Sequence, residues 1–170
     1  SREFVYAMLV RNTESAFIKL RRHSLTCAEI GIALRTQQYM EESAFSRLPH
    51  GISSTQEAIP FLRSLFAGLF RDNTVYRLVM VVLTRLAPGG AVQYELFEDP
   101  VRMDKMERLS GVVDRLGLQY GKHKVCLGTS LYLARHPVSE RNRLPWRKEN
   151  LLPGETARKR LQFPRMDISV

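Results

Sequence analysis

Between residues 29 and 36 the chain alternates without a break: Ile30, Ile32 and Leu34 fall to one side, Glu29, Gly31, Ala33 and Arg35 to the other. A period of two marks a strand with one face buried and one face open. Such a strand needs a covering layer on one side only, and the neighbouring segments are suited to supply it. Over residues 3–23, Val5, Met8, Leu9, Ala16 and Leu20 recur at three- and four-residue steps, which predicts an amphipathic helix. A second helix is predicted beyond Ser54, where Ala58, Ile59, Leu62, Leu65, Phe66, Leu69 and Phe70 make a broad apolar face. Ser54 and Glu57 have capping-box spacing, whereas Pro60, which cannot donate a backbone hydrogen bond, favours a regular start near itself.

Two further strands complete the pattern. One covers residues 43–48 and is closed by the turn Pro49-His50-Gly51; the other is the β-branched run VYRLVMVVLTRL over residues 75–86, stopped by Pro88-Gly89-Gly90. The order helix, strand, strand, helix, strand predicts an α+β fold, an antiparallel sheet with two helices on one face and the other face free. Beyond the Pro-Gly-Gly break, Asp99-Pro100 reads as a helix start and Gly121 as its end, with Met106, Leu109, Val113, Leu116 and Tyr120 between them at helical spacing. Alternation at Val125, Leu127, Leu131 and Leu133 predicts a short strand, and a basic, irregular tail follows from about His136. The resulting organisation is a domain over 1–88, a linker over 89–99, and a C-terminal helix and tail over 100–170.

The formal net charge is +9, and residues 101–170 supply most of it, with 15 Lys and Arg against 7 Asp and Glu. A polyanionic partner is expected, nucleic acid ahead of an anionic membrane because no basic amphipathic helix stands out. No run approaches the roughly 18 apolar residues of a membrane span, and the start lacks a signal-peptide pattern, which together predict a soluble, cytoplasmic protein without a membrane partner. Cys27 and Cys126 stand in different segments, and His23, His50, His123 and His136 share no metal-ligand spacing with them, so free thiols and no metal are expected. His50 has no assignable nucleophile or carboxylate partner and reads as structural.

In order along the chain, the helix EFVYAMLVRNTESAFIKLRRHSL, the strand AEIGIALRTQQY, the turn LPHGIS, the helix leading to SLFAGLF and the strand YRLVMVVLTRL resemble the little-finger domain of Y-family translesion DNA polymerases. Residues 93–170 resemble the C-terminal extension of some bacterial members, through QYELFEDP, VVDRLGLQYGKHKV and LPWRKENLLPGETARKRL. The resemblance implies a strand, helix, strand, strand, helix, strand pattern whose first strand would precede Ser1, so the chain reads as a fragment. It implies a non-catalytic piece without cofactor, from a parent polymerase that uses Mg2+ in DNA repair, damage tolerance and the SOS response. Its partners would be duplex primer–template DNA, a bacterial sliding clamp and, through the tail, other repair proteins. Two departures stand out: Met80 where the family usually has glycine, and Ala33 where it usually has lysine, which lowers the expected DNA affinity.

On this reading the free sheet face presents Arg35 and Arg47, with Thr36, Ser46 and Arg77 nearby, to phosphate oxygens, contacts that position a duplex without reading its sequence. Taken from the residues alone, they are ordinary solvated strand side chains. Gln93-Tyr94-Glu95-Leu96-Phe97 carries apolar anchors in a linker and resembles the sliding-clamp peptide, Gln93 hydrogen bonding while Leu96 and Phe97 fill a groove. In the alternative, Leu96 and Phe97 staple the following helix. The tail, with Arg141, Arg143, Arg147, Lys148, Arg158, Lys159, Arg160 and Trp146, is suited to follow DNA, to dock on a repair partner or to pack as a strap. Two other function classes compete: a free-standing RNA-binding module of ferredoxin-like architecture, for which strand 29–36 lacks stacking aromatics, and a protein-interaction adaptor.

Overall fold

The structure is a computed structural model that describes residues 1–89 and 100–136. The chain divides into two units, Ser1–Arg135 and His136–Val170, and every element below belongs to the first. They are α1 (Arg2–Arg22), β1 (Leu25–Thr36), β2 (Glu41–Ile52), α2 (Thr55–Leu69), β3 (Tyr76–Pro88), α3 (Pro100–Tyr120), a 3-10 turn (Gly128–Ser130) and α4 (Leu131–Arg135). The three strands form one antiparallel sheet in the order β2-β1-β3, and the α+β class is as the sequence predicts.

Helix α1 starts where Ser1 Oγ accepts from Phe4 N, and Lys19, Arg21 and Arg22 in its last turn oppose the negative end of the helix dipole. Its buried stripe runs through Ala7, Leu9, Val10, Phe17 and Leu20 and widens to Thr13 and Glu14. Periodicity alone gave a narrower stripe; the helix is covered by the sheet on one flank and by the segment after α3 on the other. Phe17, Leu9, Ile30, Ile32, Leu34 and Leu62 are the largest fully buried side chains. Each contributes about 1.5–3 kcal/mol relative to an exposed position. Cross-strand partners share a face, so the alternation in β1 sends Ile30, Ile32 and Leu34 under the helices and leaves Glu29, Gly31, Ala33 and Arg35 on the open side.

Four details depart from the sequence reading. Strand β2 does not close at Pro49-His50-Gly51 but runs on to Ile52, and its register against β1 shifts between the pairs Glu29–Arg47 and Cys27–Ile52. The turn-forming residues are absorbed as an irregularity at a strand edge, where a proline costs no ladder bond. Helix α2 begins at Thr55 and runs through Pro60, which faces solvent so that the carbonyl it leaves unbonded can meet water. Ser54 is the N-cap residue of α2, but its hydroxyl makes no capping bond and the capping box is not formed. Lastly, the stretch predicted as a strand near Val125–Leu133 pairs with no strand among the described residues and turns helical from Gly128: Glu14 accepts from Leu127 N (2.5 Å) and Ser130 Oγ (3.0 Å), holding it as a turn against α1. Helix α3 does begin at Pro100, and Gly121 ends it in the left-handed conformation, φ 102°.

Candidate nucleic-acid interface

Four cross-strand rows build the open face. Directly opposite residues are Arg47–Glu29–Thr84, Phe45–Gly31–Val82 and Ser43–Ala33–Met80, followed by Glu41–Arg35–Leu78 at the end nearest the β1–β2 turn. The middle is therefore apolar and both ends are charged. Phe45 is 55% exposed, yet its ring lies against the backbone of Gly31: a Cβ there would stand 2.3 Å from Phe45 Cε1. Glycine in a strand interior ordinarily weakens it, and here it makes room for a neighbouring ring. The two positions that depart from the family's habit, Ala33 and Met80, are direct cross-strand neighbours. A short and a long apolar side chain thus occupy the centre of the face.

Arg35 and Arg47 both lie on this face. Neither is a bare cation. Arg35 meets Glu41 directly across the β1–β2 ladder, Nε at 2.8 Å and Nη2 at 2.5 Å from the same carboxylate oxygen. Arg47 stands across from Glu29, Nε to Oε1 3.9 Å. Arg77 lies where the β1–β3 register shifts, its guanidinium 4.6 Å from the Tyr39 ring centroid and hydrogen bonded to the Tyr39 hydroxyl. Thr36 and Ser46 fall on the other side. Ser46 pairs with the core residue Ile30, and Thr36 follows Leu34 on the helix-covered face with its hydroxyl buried. The sheet therefore brings Arg35 and Arg47 onto one surface with Arg77 at its end, and turns Thr36 and Ser46 away from it.

Sequence reasoning passed over two residues here. Glu29 sits between Arg47 and Arg85, whose Nε is 3.7 Å from the same Oε1, while Thr84 Oγ1 donates to Oε2 at 2.7 Å. Arg85 has φ 51° and is, among the described residues, the one strand residue with a left-handed backbone. That conformation costs about 1–2 kcal/mol for a side chain of this kind. Alternation fixes which residues share a face but not which stand opposite, so the place of Glu29 beside Arg47 needed the ladder register, and the left-handed backbone at Arg85 has no sequence signal.

Among the described residues no three His, Cys, Asp or Glu side chains converge where an ion could sit. No helix among them is long and apolar enough to cross a membrane. Cys27 and Cys126 are both free, and burial pushes the Cys27 thiol up to about 12. His50 lies 3.7 Å from Glu57, Nε2 to Oε1. The pentapeptide with Gln93, Leu96 and Phe97 and the basic tail beyond residue 136 lie outside the described residues.

Residues 1–96 match the model of the impB/mucB/samB family C-terminal domain. Over 123 residues the chain is 25% identical to a DNA polymerase IV of Clostridium acetobutylicum, an alignment that covers 72% of this chain and 31% of that protein. The chain thus matches about a third of that relative's length.

Proposed function

The chain belongs to the impB/mucB/samB family as the C-terminal, little-finger domain of a Y-family DNA polymerase, and on that premise we propose that its open sheet face grips duplex DNA while residues 93–97 tether it to a sliding clamp. The observation that carries the grip is the open face itself: a helix-backed sheet that leaves Arg35 and Arg47 on its uncovered side. Guanidinium forks fit phosphate oxygens, and contacts to the backbone hold a duplex whatever its sequence or damage.

The carboxylates across from these arginines set the strength of the grip. Glu41 and Glu29 already neutralise the cations a phosphate would use, so each DNA contact exchanges one ion pair for another and gains little beyond counterion release. A weak, sequence-neutral hold suits an enzyme that must engage and leave, and a tether compensates by raising the effective concentration at the primer end. The parent enzyme would supply the polymerase chemistry, with repair and damage tolerance as its setting.

The test is a fluorescence-anisotropy titration of labelled primer–template duplex with the full chain across a salt series, with single-stranded RNA in parallel. The expected result is duplex binding with Kd on the order of 10⁻⁶ to 10⁻⁴ M that rises as salt is added. Arg35→Ala combined with Arg47→Ala flattens the log–log salt slope by roughly one to two. An unchanged slope removes the open face from the interface, and tighter binding of single-stranded RNA would favour an RNA-binding role.

A further inference from the structure

We infer that Arg47 and Arg85 together form a seat for a single backbone phosphate of the bound duplex, and that Glu29 is the resident anion that occupies the seat until the phosphate arrives. The inference rests on the DNA-gripping reading and adds to it a residue on the opposite edge strand and a carboxylate between them. The geometry is a straight row across the sheet. Glu29 on the central strand faces Arg47 on β2 and Thr84 on β3, and Arg85 reaches the same carboxylate from beside Thr84. Two guanidinium groups from opposite edges of the sheet thus stand within 3.9 Å and 3.7 Å of one oxygen, Glu29 Oε1. The other oxygen is fixed by the Thr84 hydroxyl at 2.7 Å.

Three properties separate this arrangement from a pair of surface salt bridges. The carboxylate is the sheltered member, its side chain 22% exposed, while Arg47 and Arg85 are 72% and 53% exposed and their donors remain open to an incoming group. Both arginines are oriented toward a common point by one anion, which is the geometry a phosphate with several acceptor oxygens can take over. Arg85 also holds a left-handed backbone inside a strand, a conformation that clusters at sites where a side chain must be aimed against local preference. Electrostatics favours a diester phosphate as the occupant. A carboxylate between two cations leaves one net positive charge at the seat, enough to attract one phosphate.

The test uses the full chain and labelled primer–template duplex over a salt series, comparing Arg85→Asn, Arg47→Ala, the double variant, Glu29→Gln and, as reference, Arg35→Ala. Asparagine at position 85 removes the charge and tolerates the left-handed backbone, so folding is preserved; thermal melts of each variant confirm it. Arg85→Asn is expected to lower affinity about three- to tenfold and to flatten the log–log salt slope by about one. If both arginines serve one phosphate, the double variant loses about one unit of slope and not two. Glu29→Gln removes the competing anion and is expected to tighten binding about threefold. An Arg85→Asn chain that binds like the unaltered one while Arg35→Ala weakens binding overturns the seat and leaves the grip standing; a slope loss of two in the double variant places the arginines on separate phosphates and overturns the shared seat. Weaker binding by Glu29→Gln overturns the role given to Glu29. If no variant, Arg35→Ala included, moves the slope, the DNA-gripping reading itself fails.

Discussion

Arg21 on α1 holds Asp114 on α3 through two parallel hydrogen bonds, Nε to Oδ2 at 2.6 Å and Nη2 to Oδ1 at 2.7 Å, while its remaining terminal nitrogen donates to the Ser53 carbonyl at 2.9 Å. One guanidinium thereby joins α1, α3 and the connection into α2. Charge-assisted bonds with little solvent access are worth about 1.5–3 kcal/mol. Asp114→Ala is expected to lower the unfolding free energy by about that amount in a urea titration, and Asp114→Asn, which keeps one acceptor, by less.

Glu14 is buried in α1 with its carboxylate shared by Leu127 N, Ser130 Oγ and, at 3.6 Å, His123 Nδ1. Truncation to alanine orphans the Leu127 amide in a sheltered site, while the Ser130 hydroxyl keeps the Leu127 carbonyl, 2.9 Å away, as an acceptor. A loss of about 1–3 kcal/mol is expected, accompanied by faster hydrogen exchange at the Leu127 amide. Glu14→Gln retains an acceptor and should cost less than half as much.

The Phe45 ring occupies the space a side chain at position 31 would need. Gly31→Ala is therefore expected to destabilise the chain that carries Phe45, by roughly 1 kcal/mol, and to stabilise a Phe45→Ala chain, where the strand gains from losing glycine flexibility. A double-mutant cycle read by thermal unfolding measures the coupling, and additive changes would show that the ring moves aside at no cost.

Burial raises the Cys27 thiol from its ordinary value near 9 to about 12. The folded chain then binds a proton that the unfolded chain has released, so this contribution is fully present below pH 9 and is lost as pH rises toward 12. Urea midpoints are expected to fall between about pH 8 and about pH 10 more steeply in the unaltered chain than in Cys27→Ala. At neutral pH a disulfide reagent should modify Cys126 first and reach Cys27 on unfolding.

For the tether, the pentapeptide at residues 93–97 is the tested element. Leu96→Ala combined with Phe97→Ala is expected to reduce retention of the chain on an immobilised bacterial sliding clamp at least about tenfold, the loss of two apolar anchors. Duplex affinity should be unaffected. Equal retention would end the clamp assignment.

Alternation in β1 was enough to tell the covered face of the sheet from the open one, because a period of two leaves no choice once Ile30, Ile32 and Leu34 are buried. The end of α3 was equally readable, since Gly121 supplies the left-handed residue a helix terminus needs. Pro49-His50-Gly51 misled because turn-forming residues also serve at irregular strand edges, a choice that ladder pairing makes. Val125–Leu133 misled for a different reason: a short alternating run took the conformation that Glu14, more than a hundred residues earlier, could hold. Arg35 and Arg47 were found on the open face, but the carboxylates facing them depend on register, and Arg85 depends on a backbone angle that its own side chain does not favour.

The match to the family model ends at residue 96, yet Arg21 and Glu14, both inside that boundary, find partners at Asp114, Leu127 and Ser130, outside it. A piece cut at residue 96 would leave Arg21 its bond to the Ser53 carbonyl but take away its carboxylate partner, and would strip the sheltered Glu14 carboxylate of the Leu127 amide and the Ser130 hydroxyl. The helix that starts at Pro100 is thus a brace bolted to α1, and loosening that bolt would be felt first by the helix that backs the sheet.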